Sequence, residues 1–95
     1  MTPDKFSHIK KEDYPYVTSQ YLKIEKGIKF TNDELIFIVE NFAVSLRVLL
    51  ETQYLTLDFC KRYLFDDFYC VTELDREITK DDVIQYQSHI DIEQL

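Results

Sequence analysis

Glycine and proline are scarce in this sequence, with one glycine and two prolines among 95 residues. Folds built from strands and many tight turns need more of both, because these two residues supply the backbone angles that turns require. Hydrophobic residues make up 45% of the chain and aromatic residues 15%. That content is too high for a disordered segment. The composition therefore predicts a folded chain that is mostly helical.

The sequence also lacks the residue patterns of common catalytic and metal sites. Its two histidines and two cysteines form no C-x-x-C or H-x-x-x-H spacing, and it has neither a Gly-rich phosphate loop nor a nucleophile elbow. Residues 75–86 are as acidic as a calcium loop, but Lys80 stands where such a loop needs glycine and Tyr86 where it needs glutamate. We therefore expect no enzymatic activity, no cofactor and no metal ion.

An uninterrupted apolar run of membrane-spanning length is missing too. The most apolar stretch, residues 35–50, is interrupted by Glu40, Asn41 and Arg47. The first four residues do not have the pattern of a secretory signal. These observations predict a cytoplasmic protein without a membrane partner, whose two cysteines stay free in a reducing compartment.

Charge is unevenly distributed along the chain, which has a formal net charge of −7. Residues 1–30 hold six lysines and four acids, a net +2, whereas residues 31–95 hold five Lys or Arg and fourteen acids, a net −9. Such a field repels nucleic acid and attracts basic partners. Direct binding of nucleic acid is therefore disfavoured, and the abundant Lys, Ile, Asp, Tyr and Phe are compatible with a bacterial or phage origin.

The most apolar part of the chain, residues 31–55, is predicted to form one central helix. Residues 31–34 have the pattern of a capping box, in which the side chains of Thr31 and Glu34 each accept from the other's backbone N–H. Projection at 100° per residue gives one broad apolar side that faces the core. That side consists of Leu35, Ile36, Ile38, Val39, Phe42, Ala43, Leu46, Leu49 and Leu50.

The opposite side of this helix carries a second, narrower apolar stripe. It consists of Phe37, Val44, Val48 and Leu55, and we name it the 37–55 ridge. A helix with two apolar sides needs two partners. Either the first helix of the chain, predicted within residues 14–30, packs on the 37–55 ridge, or the ridge contacts another partner or a second copy of the chain, as in a homodimer.

Residues 57–74 are predicted to form a second helix, capped by Thr56 and antiparallel to the first. Its buried side would consist of Leu57, Cys60, Tyr63, Leu64, Phe68, Cys70, Val71 and Leu74. Phe65 and Tyr69 project to the polar side, which also carries Asp58, Asp66 and Glu73. Outward aromatics among acids are typical of a surface that binds a basic partner. The alternative is that the N-terminal segment covers Phe65 and Tyr69 within the same chain.

Two interpretations compete for residues 14–30. Val17, Tyr21, Ile24 and Ile28 recur at helical steps, but apolar residues also alternate on both sides of Gly27, as in a hairpin over residues 20–31. The helix is favoured, because a lone two-stranded ribbon is marginally stable. Residues 1–13 have no periodicity, and we expect a loosely ordered basic arm whose only apolar anchors are Phe6 and Ile9.

The sequence as a whole predicts a single all-α domain, 1–95. Its architecture would be a small bundle of three to four helices around the 31–55 helix, ending in a short helix capped by Thr79. The alternative is an α+β fold with the hairpin at residues 20–31.

The function that this pattern favours is protein binding. A small acidic domain with outward aromatics can act as a stoichiometric inhibitor or regulator of a partner with a basic surface, as an immunity protein, an antidefence factor or a polyanion mimic does. The alternative is a homo-oligomeric structural or assembly component, such as one of a phage, whose subunits contact each other through the 37–55 ridge.

Overall fold

The computed structural model describes residues 2–95, and this part of the chain is helical and contains no strand. The five α-helical segments in it are α1 (Asn32–Asn41), α2 (Leu46–Thr52), α3 (Leu57–Phe59), α4 (Glu73–Arg76) and α5 (Lys80–Tyr86). A π-helical turn, Cys60–Leu64, continues α3. Short 3-10 turns lie at Asp4–Phe6, Lys11–Tyr16, Ile24–Lys26, Asp67–Tyr69 and Ile92–Gln94. The predicted all-helical class is confirmed. Within residues 2–95, no helix has both the length and the apolar content that crossing a membrane requires.

Three predicted helix starts are confirmed. At α1, the Thr31 hydroxyl accepts from the Glu34 N–H at 3.2 Å, and the Glu34 carboxylate accepts from the Thr31 N–H at 2.7 Å. Thr79 and Asp82 form the same reciprocal pair at the start of α5, and Thr56 caps α3. These caps satisfy backbone N–H groups that have no partner inside the helix.

The single helix predicted over residues 31–55 is wrong. α1 ends at Asn41, and the backbone of Phe42 is extended, with φ −108° and ψ 170°. The next N–H, of Ala43, donates to the carbonyl of Val17 at 2.9 Å, not to a carbonyl of its own helix. A contact with a distant segment thus replaces the helical hydrogen bond. The next helix, α2, begins at Leu46, after four residues outside either helix.

α2 is short, and one buried side chain, Gln87, hydrogen-bonds the backbone at and just beyond its C-terminal end. The Gln87 amide donates to the carbonyls of Leu50 at 2.9 Å and Gln53 at 2.6 Å, and its oxygen accepts from the N–H of Leu55 at 2.9 Å. One of these groups, the Leu50 carbonyl, belongs to the last turn of α2, whose carbonyls have no partner inside the helix. The other two lie just beyond the helix, which ends at Thr52. Gln87 thus fixes both the end of α2 and the direction in which the chain leaves it.

The helix predicted over residues 57–74 is also wrong, because it ends at Leu64. Residues 65–72 form a loop around the 3-10 turn Asp67–Tyr69. Cys60, Tyr63 and Leu64 are buried as expected, but three side chains that were predicted to be buried are exposed. These are Phe68, Val71 and Leu74.

Neither interpretation of residues 14–30 is correct, since these residues form turns and not a long helix or a hairpin. Lys23 and Gly27 flank the turn Ile24–Lys26 in the left-handed conformation, with φ of 58° and 88°. The segment of residues 1–13, expected to be loosely ordered, buries Phe6 and Ile9 in the core. The Phe6 ring packs against three other aromatic rings, with centroid distances of 5.2–5.8 Å: Phe30, Phe37 and Phe42.

Candidate protein-binding surface

Residues 65–74 carry four large apolar side chains that are exposed to solvent. We call the exposed side of this segment the 65–74 surface. Its apolar members are Phe65, Phe68, Val71 and Leu74, with exposed fractions of 40%, 83%, 48% and 57%. The same segment carries three acids, Asp66, Asp67 and Glu73, and no Lys or Arg. Four exposed large apolar side chains within ten residues, next to three acids, are typical of an interaction site.

The first half of this loop is held by Asp66. The Asp66 carboxylate accepts from the N–H of Phe68 at 3.0 Å, and the backbone carbonyl of Asp66 accepts from the N–H of Tyr69 at 3.2 Å. The Tyr69 ring lies edge-on between two others, 4.9 Å from Tyr63 and 5.0 Å from Phe68. Phe68 is therefore exposed on a backbone that local hydrogen bonds and ring packing fix in place.

The second half is held by Asp75, which is 1% exposed. Its Oδ2 accepts from the N–H groups of Val71 at 2.8 Å and Thr72 at 3.3 Å. Its Oδ1 accepts from the Ser45 hydroxyl at 2.6 Å and the Arg47 N–H at 3.1 Å, at the start of α2. One carboxylate thus caps α2 from outside and ties the 65–74 loop to it.

Burial and hydrogen bonding act on Asp75 in opposite directions. Desolvation raises its pKa, but hydrogen bonds from the Ser45 hydroxyl and from the N–H groups of Val71, Arg47 and Leu46 outweigh it. The net result is a pKa of Asp75 below the usual value. The carboxylate is therefore charged at neutral pH, and its charge is balanced by oriented donors.

A cleft of about 340 Å³ separates the 65–74 loop from the end of α1 and the segment that follows it. Its walls include the apolar residues Pro15, Phe42, Phe68, Tyr69 and Val71 and the acidic residue Glu40. The exposed Phe68 and the acidic Glu40 therefore line the same cleft.

The carboxylate of Glu40 is oriented by a buried tyrosine. The Tyr63 hydroxyl donates to Glu40 Oε2 at 2.8 Å, and Arg62 approaches the same oxygen at 3.8 Å. Burial and the hydrogen bond to Glu40 raise the pKa of Tyr63 to about 12, so the tyrosine stays a donor at any physiological pH. The π-helical turn that carries Tyr63 is a rare conformation which often occurs at functional sites.

The structure brings together four of the five predicted partner-binding residues. Phe65 and Asp66 are exposed on the loop of residues 65–72, Glu73 is exposed at the start of α4, and Tyr69 lies half-buried in the loop. Asp58 is exposed as well, but it lines a different cleft, with Asn32 and Lys61.

Sequence reasoning missed Phe68, Val71, Leu74 and Glu40 as surface residues of this site. The signal that could have found the first three is the pair Asp66-Asp67, since Asp readily bonds a backbone N–H two residues on and so starts a turn. A turn at this point ends the helical projection that placed Phe68 in the core.

The 37–55 ridge does not exist as a surface. Val44 and Leu55 are buried, at 2% and 0% exposure, while Phe37 stacks on Phe6 at 5.6 Å and Val48 is half-buried. The break between α1 and α2 removes the common helical side on which the prediction depended, and the N-terminal segment covers part of what remains.

The cysteines and acids of the described chain form no obvious chemical centre. Burial raises the pKa of Cys60 to about 11 and also raises the pKa of Cys70, where nearby carboxylates add to the effect. Both thiols are free, and a raised pKa keeps them in the unreactive protonated form. Within residues 2–95, no three His, Cys, Asp or Glu side chains are grouped to hold a metal ion.

No protein-family model, no curated protein and no solved structure matches this chain.

Proposed function

We propose that this chain is a protein-binding domain that covers a basic surface of a partner, as a stoichiometric inhibitor or regulator. The observation that carries the proposal is the 65–74 surface, where four apolar side chains are exposed among acids. An immunity protein, an antidefence factor and a polyanion mimic all act in this general way, and the charge of the chain fits any of them.

The rigidity of the loop supports a binding role. Binding costs free energy when a flexible loop must be ordered. Here Asp66 and Asp75 already hold the two halves of the loop through backbone hydrogen bonds. Phe68 can therefore be buried by a partner at little entropic cost, and a buried aromatic is the commonest kind of interface hot spot.

The charge of the chain supports a basic partner. Residues 31–95 carry a net −9, and the 65–74 segment adds no positive charge of its own. Long-range attraction of this kind raises the association rate of an oppositely charged protein and suppresses wrong partners. The exposed apolar side chains would then supply most of the affinity once the two surfaces meet.

The test is cross-linked capture from the source cell with three baits: the wild type, Phe68→Ser and Tyr54→Ser. Tyr54 is a matched control, because it is also an exposed aromatic but lines none of the cleft beside Phe68. A partner recovered with the wild type and Tyr54→Ser, and lost with Phe68→Ser, is then purified. We expect a 1:1 complex, weakened about tenfold or more by Phe68→Ser and weakened by added salt.

Three results would contradict the proposal. One is a partner that binds Phe68→Ser as tightly as the wild type. Another is strong binding of nucleic acid at physiological salt with no protein partner. The third is a homodimer in solution that Phe68→Ser dissociates, because the occupant of the 65–74 surface would then be a second copy of this chain.

A further inference from the structure

We propose that the cleft beside Phe68 receives one cationic side chain of the partner, preferentially an arginine, whose guanidinium pairs with Glu40. This inference rests on the proposed function and specifies the chemistry that the partner must bring. It depends on three features of the cleft: the apolar and aromatic residues among its walls, the position of Glu40 and the weakness of the contact that Glu40 already makes with Arg62.

The walls of the cleft suit the aliphatic stem and the flat head of an arginine. Phe42, Val71 and Pro15 offer apolar surface along which three methylene groups can lie. Phe68 and Tyr69 add two aromatic rings, and guanidinium groups stack on such faces. The volume of about 340 Å³ admits one long side chain.

Glu40 lines the same cleft and can accept a further hydrogen bond. Its Oε2 accepts from the Tyr63 hydroxyl at 2.8 Å, which fixes the orientation of the carboxylate. Within residues 2–95, Oε1 accepts no hydrogen bond, and the side chain is 38% exposed. An oriented carboxylate with a free acceptor, on a residue that lines a cleft beside aromatic rings, is suited to pair with a cation arriving from outside.

The internal cation at Glu40 does not occupy the site. Arg62 lies 3.8 Å from Glu40 Oε2, and its own side chain is 65% exposed. An ion pair so long and so exposed contributes little free energy. It therefore leaves the carboxylate available to a better-placed guanidinium from the partner.

Arginine is favoured over lysine by the geometry of the two heads. A guanidinium is planar, so it can stack on Phe68 and bond Glu40 at the same time, and it is more weakly hydrated than an ammonium. A lysine would keep the charge pairing but lose the stacking. A neutral side chain of the same shape would keep the packing but lose the charge-assisted hydrogen bond.

The experiment is an NMR titration of the full chain with the N-acetyl amides of arginine, lysine and citrulline. Citrulline has the shape of arginine without its charge. For ligands of this size a Kd on the order of 1–10 mM is expected. Arginine amide should cause saturable shifts at the backbone amides of Glu40, Phe68, Tyr69 and Val71, with weaker binding of lysine and about tenfold weaker binding of citrulline.

Two variants test the role of Glu40. Glu40→Gln keeps an acceptor for the Tyr63 hydroxyl, so the fold is retained, and it should weaken arginine binding about tenfold. Glu77→Gln is the matched control, because it removes one charge from an exposed residue outside the cleft and should leave binding unchanged within about a factor of two. The melting temperature of each variant checks that the fold is intact.

The inference is overturned if arginine amide gives no saturable shifts up to about 50 mM, well above the expected Kd. It is also overturned if citrulline binds as well as arginine, or if Glu40→Gln and Glu77→Gln lose binding equally. None of these results would contradict the proposed function, since a partner can still cover Phe68 without inserting a cation. That proposal fails only by the capture and stoichiometry tests given above.

Discussion

At the scale of single residues, Asp75 determines how the 65–74 surface is held. Its carboxylate accepts four hydrogen bonds from two segments that are far apart in sequence, one at residues 45–47 and one at residues 71–72. In Asp75→Asn, only one oxygen would remain, so the side-chain NH2 would face either the N–H groups of Val71 and Thr72 or the donors of Ser45 and Arg47. At least one backbone N–H would then be left unpaired. We predict a loss of about 3 kcal/mol in the free energy of unfolding, measured by urea denaturation.

The matched control for this variant is Asp67→Asn, which removes the same charge from an exposed residue. Its free energy of unfolding should stay within about 0.5 kcal/mol of the wild type. Equal losses in the two variants would show that general charge, and not the hydrogen bonds of Asp75, is what stabilises the fold.

The low pKa of Asp75 also predicts a dependence of stability on pH. A carboxyl group whose pKa is lower in the folded than in the unfolded state stabilises the fold at pH values above its unfolded pKa of about 3.9. This stabilisation is lost as the pH falls from about 4.5 towards the lower folded value. Asp82, whose pKa is lowered by a hydrogen bond from the backbone of Thr79, acts in the same direction.

The measurement is urea denaturation of the wild type and Asp75→Asn at several pH values between 7 and 3. We expect the difference in free energy of unfolding between the two proteins to shrink as the pH falls. A difference that stays constant over this range would mean that Asp75 keeps its usual pKa in the folded state.

The residue types of the binding surface could be predicted, but not which aromatic is most exposed. Phe65 was expected to face outward, and it does, whereas Phe68 was placed in the core and Tyr69 outside it. That assignment assumed a continuous helix, in which each residue is rotated by 100° from the last. The helix ends at Leu64, so a rotation of 100° per residue no longer describes residues 65–74. In the turn that Asp66 caps, the side chain of Phe68 faces outward.

At the scale of elements, the starts of α1, α3 and α5 could be predicted, whereas the two helix ends at Asn41 and Leu64 could not. A capping box is a local pattern, and the one at Thr31 forms from residues three positions apart. α1 ends for a reason that lies elsewhere: the N–H of Ala43 donates to Val17. Because the apolar periodicity runs on through residues 42–50, no signal within the segment indicates this break.

The dependence of α2 on a distant side chain gives a prediction at this scale. Gln87→Leu would leave the carbonyls of Leu50 and Gln53 and the N–H of Leu55 without their buried partner. Each unpaired group costs about 1–3 kcal/mol, so we expect a total loss of roughly 3–5 kcal/mol in the free energy of unfolding. Urea denaturation measures the total, and hydrogen exchange at Leu55 should lose protection more than the amides of α1.

Gln85→Leu is the control, because Gln85 lies on the exposed side of the same helix, α5. It should leave both the stability and the exchange of Leu55 close to those of the wild type. If Gln87→Leu is equally mild, then water replaces its hydrogen bonds, and α2 does not depend on α5 for its end.

At the scale of the whole molecule, the basic N-terminal third is part of the core of an acidic protein. Lys5 pairs with Glu34 at 3.6 Å, and Lys29 donates to the carbonyl of Thr52. Gln53 bonds the backbone of two residues in the same third, Ile28 and Phe30, at 2.9 and 3.0 Å. The radius of gyration of 13.0 Å is about that of a compact chain of this length.

The aromatic cluster around Phe6 shows how much the fold depends on its first residues. Phe6 is 1% exposed and lies within 5.8 Å of the rings of Phe30, Phe37 and Phe42. In Phe6→Ala, a cavity would open between these rings. We predict a loss of about 3–5 kcal/mol in the free energy of unfolding, whereas Tyr16→Ala, a change at an exposed ring of the same N-terminal third, should cost about 0.5 kcal/mol or less.

Calorimetric or urea unfolding of both variants checks this difference. If Phe6→Ala is as stable as Tyr16→Ala, then the first residues are a detachable arm and the core closes without them. If the predicted loss is found, a chain without residues 1–12 would lack part of its core. Such a truncation could then not test whether the lysines of this segment bind a ligand. Charge-neutralising changes at Lys10 and Lys11, which are both exposed, would test that question without disturbing Phe6.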